Sequence, residues 1–140
     1  MAKIILVVDD HPAVRKALRR LLESYHYEVH EAENGLEAIR QAQTLSPDLV
    51  VLDLAMPILN GLDAARVLHK LLPKTLLMMF TNTASAVLEE DARYAGISAV
   101  VSKSDAMDYL LRQTESLLNQ LVQIALAPID IISGSLFLVC

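Results

Sequence analysis

Apolar runs of four to six residues alternate along this chain with longer stretches in which apolar positions return every three or four residues. The runs are Ile4-Ile5-Leu6-Val7-Val8, a shorter segment around Tyr27 to Glu31, Leu49-Val50-Val51-Leu52, Leu76 to Phe80, and Ala99-Val100-Val101. Continuous apolar runs separated by helical periodicity predict βαβ units and a parallel sheet buried on both faces.

The intervening segments carry helix signals of their own. Val14, Leu18, Leu21, Leu22 and Tyr25 fall on one stripe, with Pro12 at a first-turn position where proline is tolerated. Asn34 with Glu37 three residues on has the form of a capping box ahead of Ala38, Ile39, Ala42 and Leu45, and Ser46-Pro47-Asp48 stops that helix. Asn60 is placed to cap a helix carrying Leu62, Ala65, Val67 and Leu68 after the loop Met56 to Gly61. Residues 84–95 form a weaker amphipath ended by Gly96. Met107, Leu110, Leu111, Thr114, Leu117, Leu118 and Leu121 keep helical spacing over four turns. Five strands and five helices result, an α/β architecture.

Bulk properties narrow the function classes. The chain has 140 residues, net charge −5 and a single cysteine, Cys140. That length suits one domain, and the acidic balance argues against nucleic acid as a direct partner. The lone cysteine fits a reducing cytosol, so a cytoplasmic location is expected. Neither a secretory leader nor a membrane span is expected, since the apolar stretches are too short or interrupted by Pro128 and Asp130. A basic group, Arg15, Lys16, Arg19 and Arg20, reads as a solvated helix face, with docking of an acidic partner surface as the alternative. Residues 1–122 are expected to form the α/β domain and residues 123–140 a hydrophobic extension of unknown role. There Ile131-Ile132 and Leu136 to Val139 flank Ser-Gly-Ser. Left exposed, such a segment invites aggregation. It is therefore expected to pack on its own domain or across a homodimer, or else to mark the start of a linker to a further domain.

The chemistry lies at the ends of the strands. Asp9 and Asp10 follow the first run, Asp53 the third, Thr81 the fourth and Lys103 the fifth. Parallel strands bring all five to one carboxyl edge, where open α/β sheets bind ligands. Three carboxylates ~4 Å apart repel by roughly 4 kcal/mol per pair at an effective dielectric near 20, so the cluster raises a pKa or recruits a cation. All-oxygen donors with open positions suit Mg²⁺. Lys103 adds a point charge for an anion and Thr81 a hydroxyl donor. Together they describe a phosphoryl site in which one aspartate is the nucleophile.

On Val-Val-Asp9-Asp10-His-Pro, Asp53-Leu-Ala-Met-Pro-Ile-Leu-Asn-Gly, Phe-Thr81 and Val-Ser-Lys103-Ser, the chain resembles the receiver domains of two-component response regulators over residues 3 to about 120. The resemblance implies a flavodoxin-like doubly wound sheet in the order 2-1-3-4-5 and phosphoacceptance by Asp53 from a sensor histidine kinase or phosphotransfer protein. It also implies Mg²⁺ held by Asp9, Asp10, Asp53 and the Ala55 carbonyl, with Thr81 and Lys103 gripping the phosphoryl group. Three positions depart from the family pattern: Val100 stands where an aromatic switch residue is usual, Asn82 where a small residue follows the threonine, and Ser104 where proline follows the lysine. Ser104 is similar to the nitrate-regulator subfamily, whose C-terminal DNA-binding domain is not expected in this chain. Two other readings compete. One is a non-phosphorylated pseudo-receiver acting as an interaction or dimerisation module. The other is an aspartyl-phosphate phosphatase of the haloacid dehalogenase type, which needs a carboxylate two residues after the nucleophile, where Ala55 stands.

Overall fold

The computed structural model describes residues 2–119. Five parallel strands, β1 (Ile4–Val8), β2 (Glu28–Ala32), β3 (Leu49–Leu52), β4 (Leu76–Thr81) and β5 (Ala99–Ser102), lie in the order β2-β1-β3-β4-β5. They alternate with helices α1 (Pro12–Ser24), α2 (Gly35–Leu45), α3 (Gly61–Leu71), α4 (Ala86–Tyr94) and α5 (Met107–Leu118). This is the flavodoxin-like doubly wound arrangement that the family resemblance implies. The hydrophobic extension, and Leu121 of the last stripe, lie outside the described residues.

Side chains alternate across the sheet, as the two-residue period of a strand requires. Ile5 and Val7 join Leu18, Leu22, Leu110, Leu111 and Leu118 in the layer under α1 and α5. Leu6 and Val8 face the opposite layer, where Ala38, Ala42, Ala64, Ala65, Leu68 and Ala92 let α2, α3 and α4 approach the sheet closely. Each large side chain buried in this way contributes about 2 kcal/mol.

The helix starts follow the local chemistry. Asn34 Oδ1 accepts the Glu37 N–H at 2.9 Å, Asn60 Oδ1 that of Asp63 at 2.9 Å, and Ser85 Oγ that of Leu88 at 3.1 Å. The Ser85 cap starts α4 at Ala86, two residues later than the apolar pattern suggests. The capping box at Asn34 is shifted by one residue: Glu37 reaches back to the Glu33 N–H rather than to that of Asn34. Gly96 ends the α4 segment at φ +92°.

Three positions on the apolar stripes differ from expectation. Tyr25 is 51% exposed because α1 stops at Ser24 and the chain turns at His26, φ +70°, leaving no helical frame to carry the stripe onward. Val67 and Met107 are also exposed. The basic group needs a larger correction. Arg15 is not solvated; it is buried at 7% exposure on the same face as Leu18 and Leu22.

Candidate functional site

The sheet register brings the strand-end residues together. β1 and β3 pair as far as Val8 and Leu52, so Asp9 and Asp53 leave adjacent strands side by side. The Asp53 N–H donates to the Val8 carbonyl at 3.0 Å and the Asp9 N–H to the Ala32 carbonyl at 3.2 Å, extending the ladders to the very edge. Thr81 pairs with Ser102 in the β4–β5 ladder, and the Lys103 N–H donates to the Thr81 carbonyl at 2.8 Å.

From that anchor the Lys103 side chain crosses back over the edge. Its Nζ lies 2.8 Å from Asp9 Oδ2 and 3.3 Å from Asp53 Oδ2, and 5.9 Å from the Phe80 ring centroid. Both carboxylates are almost fully buried. One oxygen each from Asp9, Asp10 and Asp53, with a ring nitrogen of His11, lie within 4.8 Å of one another. Burial pushes the Asp53 carboxyl above its ordinary pKa and the Asp9 charge pushes the same way. Lys103 opposes both, without cancelling them, and Asp10 adds a smaller upward push. Burial alone would lower the Lys103 ammonium; the hydrogen bond and charge of Asp9, then the charge of Asp53, raise it above its ordinary value. At neutral pH Lys103 is therefore a cation held inside an anionic pocket.

A second tier, which the sequence reading missed, fixes the loop that carries the acids. Arg15 Nη1 donates to the Asp9 carbonyl at 2.8 Å while its Nε donates to Glu31 Oε1 at 2.8 Å. Arg19 Nη1 holds the other Glu31 oxygen at 3.0 Å. Burial alone would raise the Glu31 carboxyl, but its bonds to Arg19 and Arg15 outweigh that and hold it below the ordinary range. A signal for Arg15 existed in the sequence, since 15, 18 and 22 share helical spacing; its partner lies sixteen residues away on another element.

On the other side of Asp53, the first residue of α3 is Gly61. A Cβ there would sit 2.2 Å from the Asp53 carbonyl oxygen, so only glycine lets the helix start this close to the strand end. The intervening loop carries Ala55, exposed two residues past Asp53, and Ile58, a β-branched residue at φ +73°. Thr81 is buried, and its hydroxyl pairs with that of Thr83 at 3.2 Å. Asn82 is exposed and Val100 half-buried against the α2–α4 layer. After Lys103, Ser104 forms a serine turn in place of proline, its N–H donating to Ser102 Oγ at 3.2 Å.

The donor set suits a hard divalent cation. Three carboxylates converge, and one buried oxygen, Asp10 Oδ1, has no hydrogen-bond partner. His11 Nδ1 lies 3.1 Å from that oxygen without hydrogen-bonding geometry toward it. An orphaned carboxylate oxygen among other carboxylates is where a cation would be satisfied.

A five-stranded doubly wound sheet with a buried carboxylate cluster and a lysine at its carboxyl edge defines a class of phosphoryl-handling α/β domains. Residues 5–115 match the response regulator receiver domain family, and the chain belongs to that family. It is 36% identical over 115 residues to a putative transcriptional regulator of Pseudomonas aeruginosa, a match covering 81% of this chain and 56% of that protein. With the chemotaxis protein CheY of Halobacterium salinarum it shares 34% identity, covering 74% of this chain and 86% of that one. A two-component response regulator of the LuxR family from Aurantimonas sp. SI85-9A1 superposes with a TM-score of 0.81 at 34% identity, covering 86% of this chain and 87% of that one. The chain thus spans little more than half of the Pseudomonas relative and most of the CheY relative. Among the described residues, no helix is long and apolar enough to cross a membrane.

Proposed function

We propose that this chain is a phosphorylatable receiver that takes a phosphoryl group onto Asp53 from a histidine kinase or phosphotransfer protein in a Mg²⁺-dependent reaction. The observation that carries it is the buried Asp53 carboxylate beside Lys103, with Asp9 and Asp10 within 4.8 Å. An Asp53 oxygen attacks the phosphorus of a phosphohistidine; the new P–O bond forms as the P–N bond breaks, and the leaving imidazole takes up a proton. Asp9, Asp10, Asp53 and the Ala55 carbonyl would hold Mg²⁺, which neutralises charge on the transferring group. Lys103, already oriented by Asp9, supplies a cation to the phosphoryl oxygens, and Thr81 turns its hydroxyl from Thr83 toward them. The new charge then redistributes Lys103 and the β4–β5 edge, which changes the surface of α4, β5 and α5.

On this reading the domain acts in the cytoplasm through protein partners rather than on nucleic acid and turns over no external substrate. Packing of residues 123–140 on their own domain or across a homodimer belongs to the same proposal, with a linker to a further domain as its alternative.

The test is intact-protein mass after incubation with acetyl phosphate and Mg²⁺, beside Asp53→Ala. One phosphoryl group gained by the native protein alone supports the reading. No gain in either favours the silent module, for which the aliphatic Val100 at the usual aromatic position is the specific observation.

A further inference from the structure

We propose that His11 is a nitrogen ligand to the divalent cation in the Asp53 pocket, so that the pocket discriminates among cations and favours ions that accept imidazole over Mg²⁺. The inference rests on the receiver reading, and it concerns which cation the pocket takes.

His11 is the N-cap residue of α1, but its side chain makes no capping bond. It folds back over the acids instead. Its backbone N–H donates to Asp9 Oδ1 at 2.9 Å, and its Nδ1 lies 3.1 Å from that oxygen and 3.1 Å from Asp10 Oδ1. Pro12 at the next position fixes the start of the helix, so the His11 backbone is set by the fold. The other tie is Arg15, which holds the Asp9 carbonyl.

The ring nitrogen therefore faces two carboxylate oxygens at contact distance, and one of them, Asp10 Oδ1, is buried without a hydrogen bond. With the hydrogen on Nδ1 the ring donates to Asp9 Oδ1; once a cation displaces it to Nε2, three lone pairs converge there. A cation among them satisfies all three, and the remaining Nε2–H points to water because the His11 side chain is 64% exposed. The four donor atoms lie no more than 4.8 Å apart. Opposite donors of a cation with ~2.1 Å bonds are ~4.2 Å apart and adjacent ones ~3.0 Å, so the 3.1 Å contacts of His11 match adjacent donors and the widest pair closes by about half an ångström to hold one ion.

The consequence is chemical. Mg²⁺ takes oxygen donors and keeps its waters, whereas Mn²⁺ and later divalent ions accept imidazole readily. Replacing one oxygen or water with an imidazole nitrogen shifts preference along that series. Asp9, Asp10 and Asp53 alone form an all-oxygen pocket; with His11 the donor set becomes mixed.

The probe is Mn²⁺, bound to the full chain and read by electron spin-echo envelope modulation, which detects a directly bonded ¹⁴N. Mn²⁺ and Mg²⁺ affinities are measured in parallel by calorimetry on the native protein, His11→Gln, His11→Ala and Asp53→Ala. The exposed His11 side chain makes both His11 variants safe for folding, and Gln keeps a polar group without the imidazole. We expect a ¹⁴N modulation in the native protein that disappears in both His11 variants. We also expect the Mn²⁺ over Mg²⁺ preference to fall about tenfold, the low end of the range for altered metal sites, mostly through weaker Mn²⁺ binding. Mn²⁺ that binds, is displaced by Mg²⁺ and requires Asp53, but shows no ¹⁴N modulation, overturns the His11 assignment and leaves the receiver reading standing. Mn²⁺ that does not bind, or binds equally well to Asp53→Ala, overturns both.

Discussion

Asp53→Asn tests the electrostatic reading of the pocket, because it removes one charge and keeps the shape. In the metal-free protein Asp53 feels one attraction and two repulsions. At 3.3 Å from Lys103 Nζ the attraction is about 5 kcal/mol at an effective dielectric near 20. The oxygens of Asp9 and Asp10 are no more than 4.8 Å away, so each repels by at least about 3.5 kcal/mol on the same scale. The sum is a net repulsion of about 2 kcal/mol, which solvent screening of the part-exposed Asp10 reduces. The variant is therefore expected to be more stable by about 1 kcal/mol in chelator-treated buffer, equivalent to about 4 °C in melting temperature. Urea denaturation with an unchanged slope is the assay.

The pH dependence carries an independent sign. The folded-state pKa of Asp53 is raised above the ordinary value of 3.8, so the folded protein holds this proton more tightly than the unfolded chain. Its contribution to stability is full below pH 3.8 and is lost as pH rises through the folded value. The advantage of Asp53→Asn should accordingly be present at pH 7 and vanish toward pH 3.8. Added Mg²⁺ should narrow it from the other side, by stabilising the native protein alone. A variant less stable than the native protein at pH 7 without metal, with the same slope, would refute the crowding argument.

Three further outcomes follow from neighbouring contacts. Arg15→Ala leaves Glu31 paired only with the part-exposed Arg19 and the Asp9 carbonyl without its donor; it should cost about 3 kcal/mol in urea denaturation. Because Glu31 is held below its ordinary pKa of 4.5, the native protein should lose this advantage over the variant as pH falls below 4.5. Gly61→Ala forces a Cβ to within 2.2 Å of the Asp53 carbonyl. It should cost more than about 2 kcal/mol and slow acetyl phosphate labelling even at temperatures where the protein stays folded, as intact mass would show. Lys103→Met removes the internal cation that competes with metal for Asp9 and Asp53, so calorimetry should find tighter Mg²⁺ binding, whereas labelling of Asp53 should fall.

The fold was legible because its signals are local and repeated. Four of the five strand runs deliver a polar residue to the same edge, and Asn34 and Asn60 cap the helices they precede, so the elements and the parallel sheet follow from short windows, whereas the strand order follows from the family resemblance. The acids and the lysine were legible for the same reason: a strand-end position in a parallel sheet has one destination. The unread part depends on contacts between distant segments. Burial of Arg15 requires Glu31 on β2, and a charged side chain on a helix otherwise reads as solvated. Tyr25 was misplaced because periodicity extends a helix until a backbone event stops it, and the turn at His26 is not encoded by glycine or proline. The close approach at Gly61 needs both β3 and α3 in place before its necessity shows.

Lys103 spans more of the molecule than any description of a single pocket conveys. Its backbone leaves the edge strand β5, while its ammonium rests on residues that follow β3 and β1. One flexible side chain thus acts as a tie-rod across four of the five strands, tensioned by hydrogen bonding and charge. Loss of charge at Asp53 would leave that rod held at Asp9 alone, with its other end still anchored on the edge strand β5.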